Sequence, residues 1–191
     1  MLKTINKGII IGYIIYLLYW IANFEEVYPV FVLLAFSILI YFVIKYFKLD
    51  EYELFFVLLM CIAGIVGERF TFGWYYTHNN YDKYLHFINP MIIYLIVIRK
   101  VQIKQYKNFY VLSIVMGFVA MFEIVEYLFD MLLHSDMQGV FDMTNKIIVQ
   151  RGADTMTDLL FDFLGAFTGM IYTLFISKRK SDSFFFENHK Q

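Results

Sequence analysis

Apolar residues run through this chain in blocks of 16 to 23, at roughly 8 to 23, 29 to 47, 53 to 73, 84 to 99, 108 to 129 and 155 to 177. A bilayer core of about 30 Å needs about 20 apolar helical residues, and only helices or closed barrels satisfy their backbone groups there. None of the blocks alternates with period 2, so they predict helices and not barrel strands. Short polar turns separate them: Asn23 to Tyr28 with Pro29 opening the next helix, Lys48 to Tyr52, Trp74 to Lys83, and Lys100 to Lys107. The predicted fold is all-α, a single six-helix transmembrane domain over 1–180 followed by a loosely ordered tail over 181–191. Lys3 and Lys7 before the first block resemble a signal peptide, but no small-x-small site precedes Asn23-Phe24-Glu25-Glu26, so the block is read as a retained span.

Positive charge fixes the orientation. Cytoplasmic loops collect Lys and Arg. With the N-terminus inside, the inner segments hold Lys3, Lys7, Lys45, Lys48, Arg99, Lys100, Lys104, Lys107, Lys178, Arg179, Lys180 and Lys190, against Arg69, Lys83, Lys146 and Arg151 outside. The asymmetry alternates across all five loops, which predicts a membrane protein with both its N- and C-terminus on the cytoplasmic side. Trp20, Trp74, Tyr75 and Tyr76 then fall near outer helix ends, and Tyr46, Phe47 and Tyr110 near inner ones, as an aromatic belt requires. The longest connection, 130 to 154, faces outside, and the stretch 140 to 149 suits either a short surface helix or an ordinary loop.

Composition agrees: 60% of the 191 residues are hydrophobic and 17% charged, more apolar than a water-soluble domain can hide. A net charge near −1 gives no reason to expect nucleic acid as a partner, and membrane lipids are the expected surroundings. The single cysteine, Cys61, excludes an internal disulfide and a cysteine metal site, and reads as a small core hydrophobe.

Against this apolar background the ionisable residues inside the spans are the candidate chemistry, because a charge at mid-membrane costs about 2.5–3.5 kcal/mol on insertion scales. Glu68, His86, Glu123, Glu126, Asp158 and Asp162 all fall in the outer half, a placement that a Lys and Arg count did not impose. Glu123, Glu126 and Asp130 are spaced to share one face of the fifth helix, and Asp154, Asp158 and Asp162 one face of the sixth. Asp130 and Asp154, near the ends, are expected to be wet. Gly165 and Gly169 continue the stripe of the sixth helix and predict a close helix approach. Carboxylates crowded in a dry pocket must share protons, pair with Lys83, Arg69 or Arg151, or bind a cation.

Glu123, Glu126 and His86 are therefore candidates for acid-base work. Asp158, Asp162, Glu126, His86 and Glu68 are candidates to hold a divalent ion, Mg²⁺, Mn²⁺ or Ca²⁺ by their oxygen content and Zn²⁺ through His86. The competing reading is a network that only binds helices together.

The motifs Tyr81-Asp82-Lys83-x-x-His86-Phe87, Glu123-x-x-Glu126 and Asp154-x-x-x-Asp158 leading to Gly165 resemble the YjdF-type bacterial inner-membrane family and, more distantly, VanZ-like proteins. The resemblance spans about residues 81 to 172. It implies the membrane location and the residue set; VanZ-like proteins are associated with glycopeptide-antibiotic resistance, and Asp162 stands where their pattern has asparagine. Three function classes follow: metal-assisted or acid-base chemistry on a lipid or cell-envelope substrate, transport of protons or small cations, and a non-catalytic accessory subunit. Transport needs a path inward, and the inner halves of the predicted helices offer no matching set of ionisable residues.

Overall fold

The computed structural model describes residues 2–22, 45–46, 48–65, 81–133, 140–141 and 147–188. Five helices form among them: α1 (Leu2–Ala22), α2 (Glu51–Ile65), α3 (Tyr81–Lys100), α4 (Lys107–Leu133) and α5 (Arg151–Asn188). The predicted second span and the outer part of the third lie outside the described residues, apart from 45–46 of the second.

Local chemistry explains the ends. Asp50 caps α2: its Oδ1 accepts the N–H groups of Tyr52 at 3.0 Å and Glu53 at 2.9 Å, while Glu53 Oε2 accepts the N–H of Asp50 at 2.9 Å. This reciprocal box satisfies donors that the first helical turn leaves open. Helix α3 carries Asp82 in its first turn and Arg99 and Lys100 in its last, the arrangement its dipole favours. Inside it, Pro90 has no N–H to give, so the His86 carbonyl loses its usual helical donor.

Two short antiparallel strands, β1 (Val140–Phe141) and β2 (Ile147–Val149), pair Val140 with Val149 and Phe141 with Ile147 just before α5. A two-stranded ribbon thus replaces the surface helix considered for this stretch. Helix α5 continues to Asn188, through the start of the segment where the sequence predicts loose order; no Gly or Pro follows Gly169 to stop it.

Helix α5 packs chiefly along α3, with α4 against both, while α1 rests on α2 and α2 on α3. The core of this packing is Tyr94, Val97, Val111, Val115 and Ala166. Tyr94 is fully enclosed, and its hydroxyl donates to Asn108 Oδ1 at 3.2 Å. The α3–α5 seam is closed by glycines. A Cβ on Gly165 would sit 1.9 Å from the Phe87 carbonyl oxygen, and one on Gly169 3.1 Å from that of Met91. Only a bare backbone permits this approach.

The molecule is inverted relative to a water-soluble bundle. Phe118, Met121, Ile124, Leu128, Leu160, Phe163, Leu164 and Tyr172 are exposed, whereas Glu123, Asp130, Asp154, Asp158 and Asp162 are buried. Apolar side chains outside and carboxylates inside is the distribution a lipid solvent selects. Lys107–Leu132 and Gly152–Ser177 are each long and apolar enough to cross a membrane.

Candidate functional site

The first turn of α3 organises the site. Tyr81 fastens it to α2, its hydroxyl donating to the Ala63 carbonyl at 2.6 Å. Lys83 then reaches three carboxylates at once: Asp82 Oδ2 at 3.0 Å, Asp154 Oδ1 at 2.7 Å, and Asp158 Oδ1. An ammonium has three N–H donors, and here each has an acceptor. The two partners on α5 are one turn apart, so a single lysine staples α3 to the stripe of acids that the i, i+4 spacing puts on one face.

One turn along α3, His86 divides the acids into two groups. Its Nε2 faces Asp82 Oδ1 at 3.5 Å and Asp158 Oδ1 at 3.8 Å. Its Nδ1 faces Asp162 Oδ1 at 3.1 Å and Glu123 Oε1 at 3.8 Å. In each of the groups Asp82, His86, Asp158 and His86, Glu123, Asp162, one possible ligand atom per residue lies within 4.8 Å of the others. Glu123, Asp158 and Asp162 are each 3% exposed. Five carboxylates thus surround one lysine and one histidine among the described residues. Even with His86 protonated, the charges do not cancel, and buried uncompensated charge costs several kcal/mol per ion.

A second ionic cluster sits at the opposite end of α3, 13 residues or about 20 Å from His86 along the helix. Buried Glu53 takes Lys100 Nζ on Oε2 at 2.6 Å and Arg99 on Oε1 at 3.4 Å, and Arg99 also meets Asp50 Oδ2 at 3.1 Å. The Glu53 N–H bond is the largest influence on the Asp50 carboxyl; with the Arg99 guanidinium and the Tyr52 N–H it outweighs the opposing effect of burial and holds the group below its usual range. Beside it Asn6 of α1, 2% exposed, donates to the backbone carbonyl and to Oε2 of Glu51, both at 2.9 Å. Between the two clusters lies the enclosed set Tyr94, Val97, Val111, Val115 and Ala166, where the Tyr94 hydroxyl meets Asn108.

A family model described as "Predicted membrane protein (DUF2238)" matches residues 5–179. The chain belongs to this family. The DUF2238 match takes in both ionic clusters and all five helices except the outermost residues of α1 and α5. No curated protein and no solved structure matches the chain.

In this DUF2238 protein the sequence-derived candidates divide clearly. His86, Glu123, Asp158 and Asp162 converge, with Lys83 among them as one of the expected counter-ions. Glu126 is only half-buried and belongs to neither three-residue group. Glu68, with Arg69, lies outside the described residues. Asp130 and Asp154, expected to be wet, are instead 2% and 6% exposed, and Asp154 is held by Lys83. Asp82 was not singled out as a site residue, although its position four before His86 on a helix puts the two side chains on one face. The Asp50, Glu53, Arg99, Lys100 cluster is a second ionic grouping that the sequence expectations do not contain. Its signal was present as Asp50-x-x-Glu53, the pattern of a capping box.

Proposed function

We propose that the chain is a multi-pass protein of the bacterial cytoplasmic membrane, N-in and C-in with six spans, whose outward-facing His86, Glu123 and Asp162 hold one divalent cation. The observation carrying this reading is that both nitrogens of a buried imidazole face carboxylate oxygens. A neutral imidazole donates through one nitrogen only. If Nε2 carries the proton toward Asp82 and Asp158, the Nδ1 lone pair points at Asp162 and Glu123, and only a proton or a metal ion between them removes the repulsion.

With bonds of about 2.0–2.2 Å, ligand atoms around one ion lie roughly 3.0–3.6 Å apart. The 3.1 and 3.8 Å separations from Nδ1 need little adjustment to reach that range. One nitrogen with carboxylate oxygens favours Mn²⁺ or Zn²⁺ over Ca²⁺ or Mg²⁺.

At such a site a bound ion polarises a carbonyl or phosphoryl oxygen, or supplies a hydroxide at neutral pH. Glu126, one turn from Glu123 and partly exposed, is placed to exchange protons with a substrate. The surrounding lipid makes a lipid or cell-envelope molecule the natural substrate class. The resemblance of His86, Glu123-x-x-Glu126 and Asp158, in that order, to the YjdF-type pattern supports the same residue set. Transport is the weaker alternative, because the enclosed Tyr94, Val97, Val111, Val115 and Ala166 lie between the two polar ends. An accessory role, with the acids serving only as helix glue, requires His86 to be an imidazolium that donates from both nitrogens.

Metal analysis of detergent-purified full-length protein after loading with Mn²⁺ or Zn²⁺ tests the reading. About one ion per chain is expected, lost in His86→Ala and Asp162→Asn. Wild-type protein that retains no ion from either solution would end it.

A further inference from the structure

The two groups meeting at His86 are not equivalent. The Nδ1 side is formed by Glu123 and Asp162. On the Nε2 side the space among Asp82, Asp154 and Asp158 is taken by the Lys83 ammonium, which contacts all three carboxylates. An ammonium in a nest of three carboxylates occupies the position a metal ion would take. It does so with a charge of one and without needing a nitrogen ligand.

We propose that Lys83 is a built-in cation that fills a second ion site, so that the cluster takes one divalent ion where it has ligands for two. Three features support this. The ligand set on the Nε2 side is at least as rich as on the other: Asp82, Asp154 and Asp158, with His86 Nε2 at 3.5 and 3.8 Å from two of them. The lysine is tethered on α3 one turn before His86 and is only 13% exposed, so its occupancy does not depend on a ligand arriving from outside. Its three donors are matched one to one by acceptors, which leaves Asp158 Oδ1 turned to the lysine and away from a metal on the Nδ1 side.

Lys83 is in this sense a positioning residue. It sets the number of ions without touching the one that binds. The inference deepens the single-ion reading above, yet can be judged apart from it. With the lysine gone, a second ion would coordinate the freed carboxylates and His86 Nε2, whose proton leaves to solvent as the metal bond forms.

The experiment counts Mn²⁺ and Zn²⁺ bound per chain in full-length wild type, Lys83→Met, Lys83→Gln and Lys83→Arg, each checked for helical content by circular dichroism. The expected result is one ion in wild type, two in Lys83→Met and Lys83→Gln, and one in Lys83→Arg, where the positive charge stays. A lysine serving only to staple α3 to α5 would lower binding or leave it alone, and could not raise it. Folded Lys83→Met or Lys83→Gln protein with no gain over wild type overturns the proposal, as does a gain in Lys83→Arg, which stays informative if the neutral variants do not fold. Wild type with none and the neutral variants with one would remove the single-ion reading and leave Lys83 as the occupant. None in any of them removes both.

Discussion

Asp50 shows how much one exposed carboxylate can do. It caps α2 through Oδ1 and meets Arg99 through Oδ2, and both contacts favour its ionised form. Its folded pKa lies below the ordinary value of 3.8, so it stabilises the protein above that value, and the contribution disappears as pH falls through the lower folded value. Asparagine keeps the capping oxygen but loses the charge. Asp50→Asn is therefore expected to cost about 0.2–1 kcal/mol at pH 7, the usual worth of an exposed pair. The difference should begin to narrow below about pH 4; melting curves of both proteins at pH 7 and pH 3 measure it, and an equal gap at both values would mean the charge plays no part. His86, Glu123, Asp158 and Asp162 were legible because each is an ionisable residue inside a predicted apolar block, whereas Asp82, Lys83 and Asp154 fall in the predicted polar connections. What the sequence reading misjudged was angular. At about 100° per residue, Glu123 and Asp130, seven apart, nearly superpose, whereas Glu126 is turned about 60° from Glu123. The structure follows that arithmetic, enclosing the first two and leaving Glu126 half-buried.

At the scale of elements, the helices were readable from block length and the polar turns, and α3, α4 and α5 begin within four residues of their predicted starts. The ribbon before α5 was not. Its residues Val140, Phe141, Ile147, Ile148 and Val149 are β-branched or aromatic, a strand preference outweighed in the reading by the spacing of apolar positions. The far end of α5 was misjudged for the opposite reason: polarity suggested loose order, while the absence of any helix breaker decided the outcome. The α3–α5 seam yields a direct test. Gly165→Ala forces a methyl onto the Phe87 carbonyl, and because the obstacle is backbone the helices must separate. A loss of about 1–3 kcal/mol is expected from such overpacking. Gly117→Ala, with nothing within 4 Å of the new methyl, should instead gain up to about 1 kcal/mol from helix propensity. Unfolding in detergent separates the two, and equal behaviour would mean that no tight seam exists.

Over the whole molecule, polar groups gather at the two ends of α3 and leave the middle apolar. On the proposed topology the Lys83 and His86 end faces outward and the Arg99 and Lys100 end faces the cytoplasm. Tyr84 and Lys104 are both exposed, one at each end. In a Cys61→Ser background, Tyr84→Cys should react with a membrane-impermeant maleimide on intact cells, and Lys104→Cys only after the cells are opened. The reverse labelling would invert the orientation. The pairing of Lys83 with Asp154 and Asp158 joins positions 71 and 75 residues apart, and this bears on how the protein is made. When α3 leaves the ribosome its lysine and histidine have only Asp82 beside them, because Asp154 and Asp158 follow 71 and 75 residues after the lysine. Lys83 therefore gains its two α5 partners only once residues 154 to 158 have been made, and until then a single carboxylate, Asp82, meets its charge.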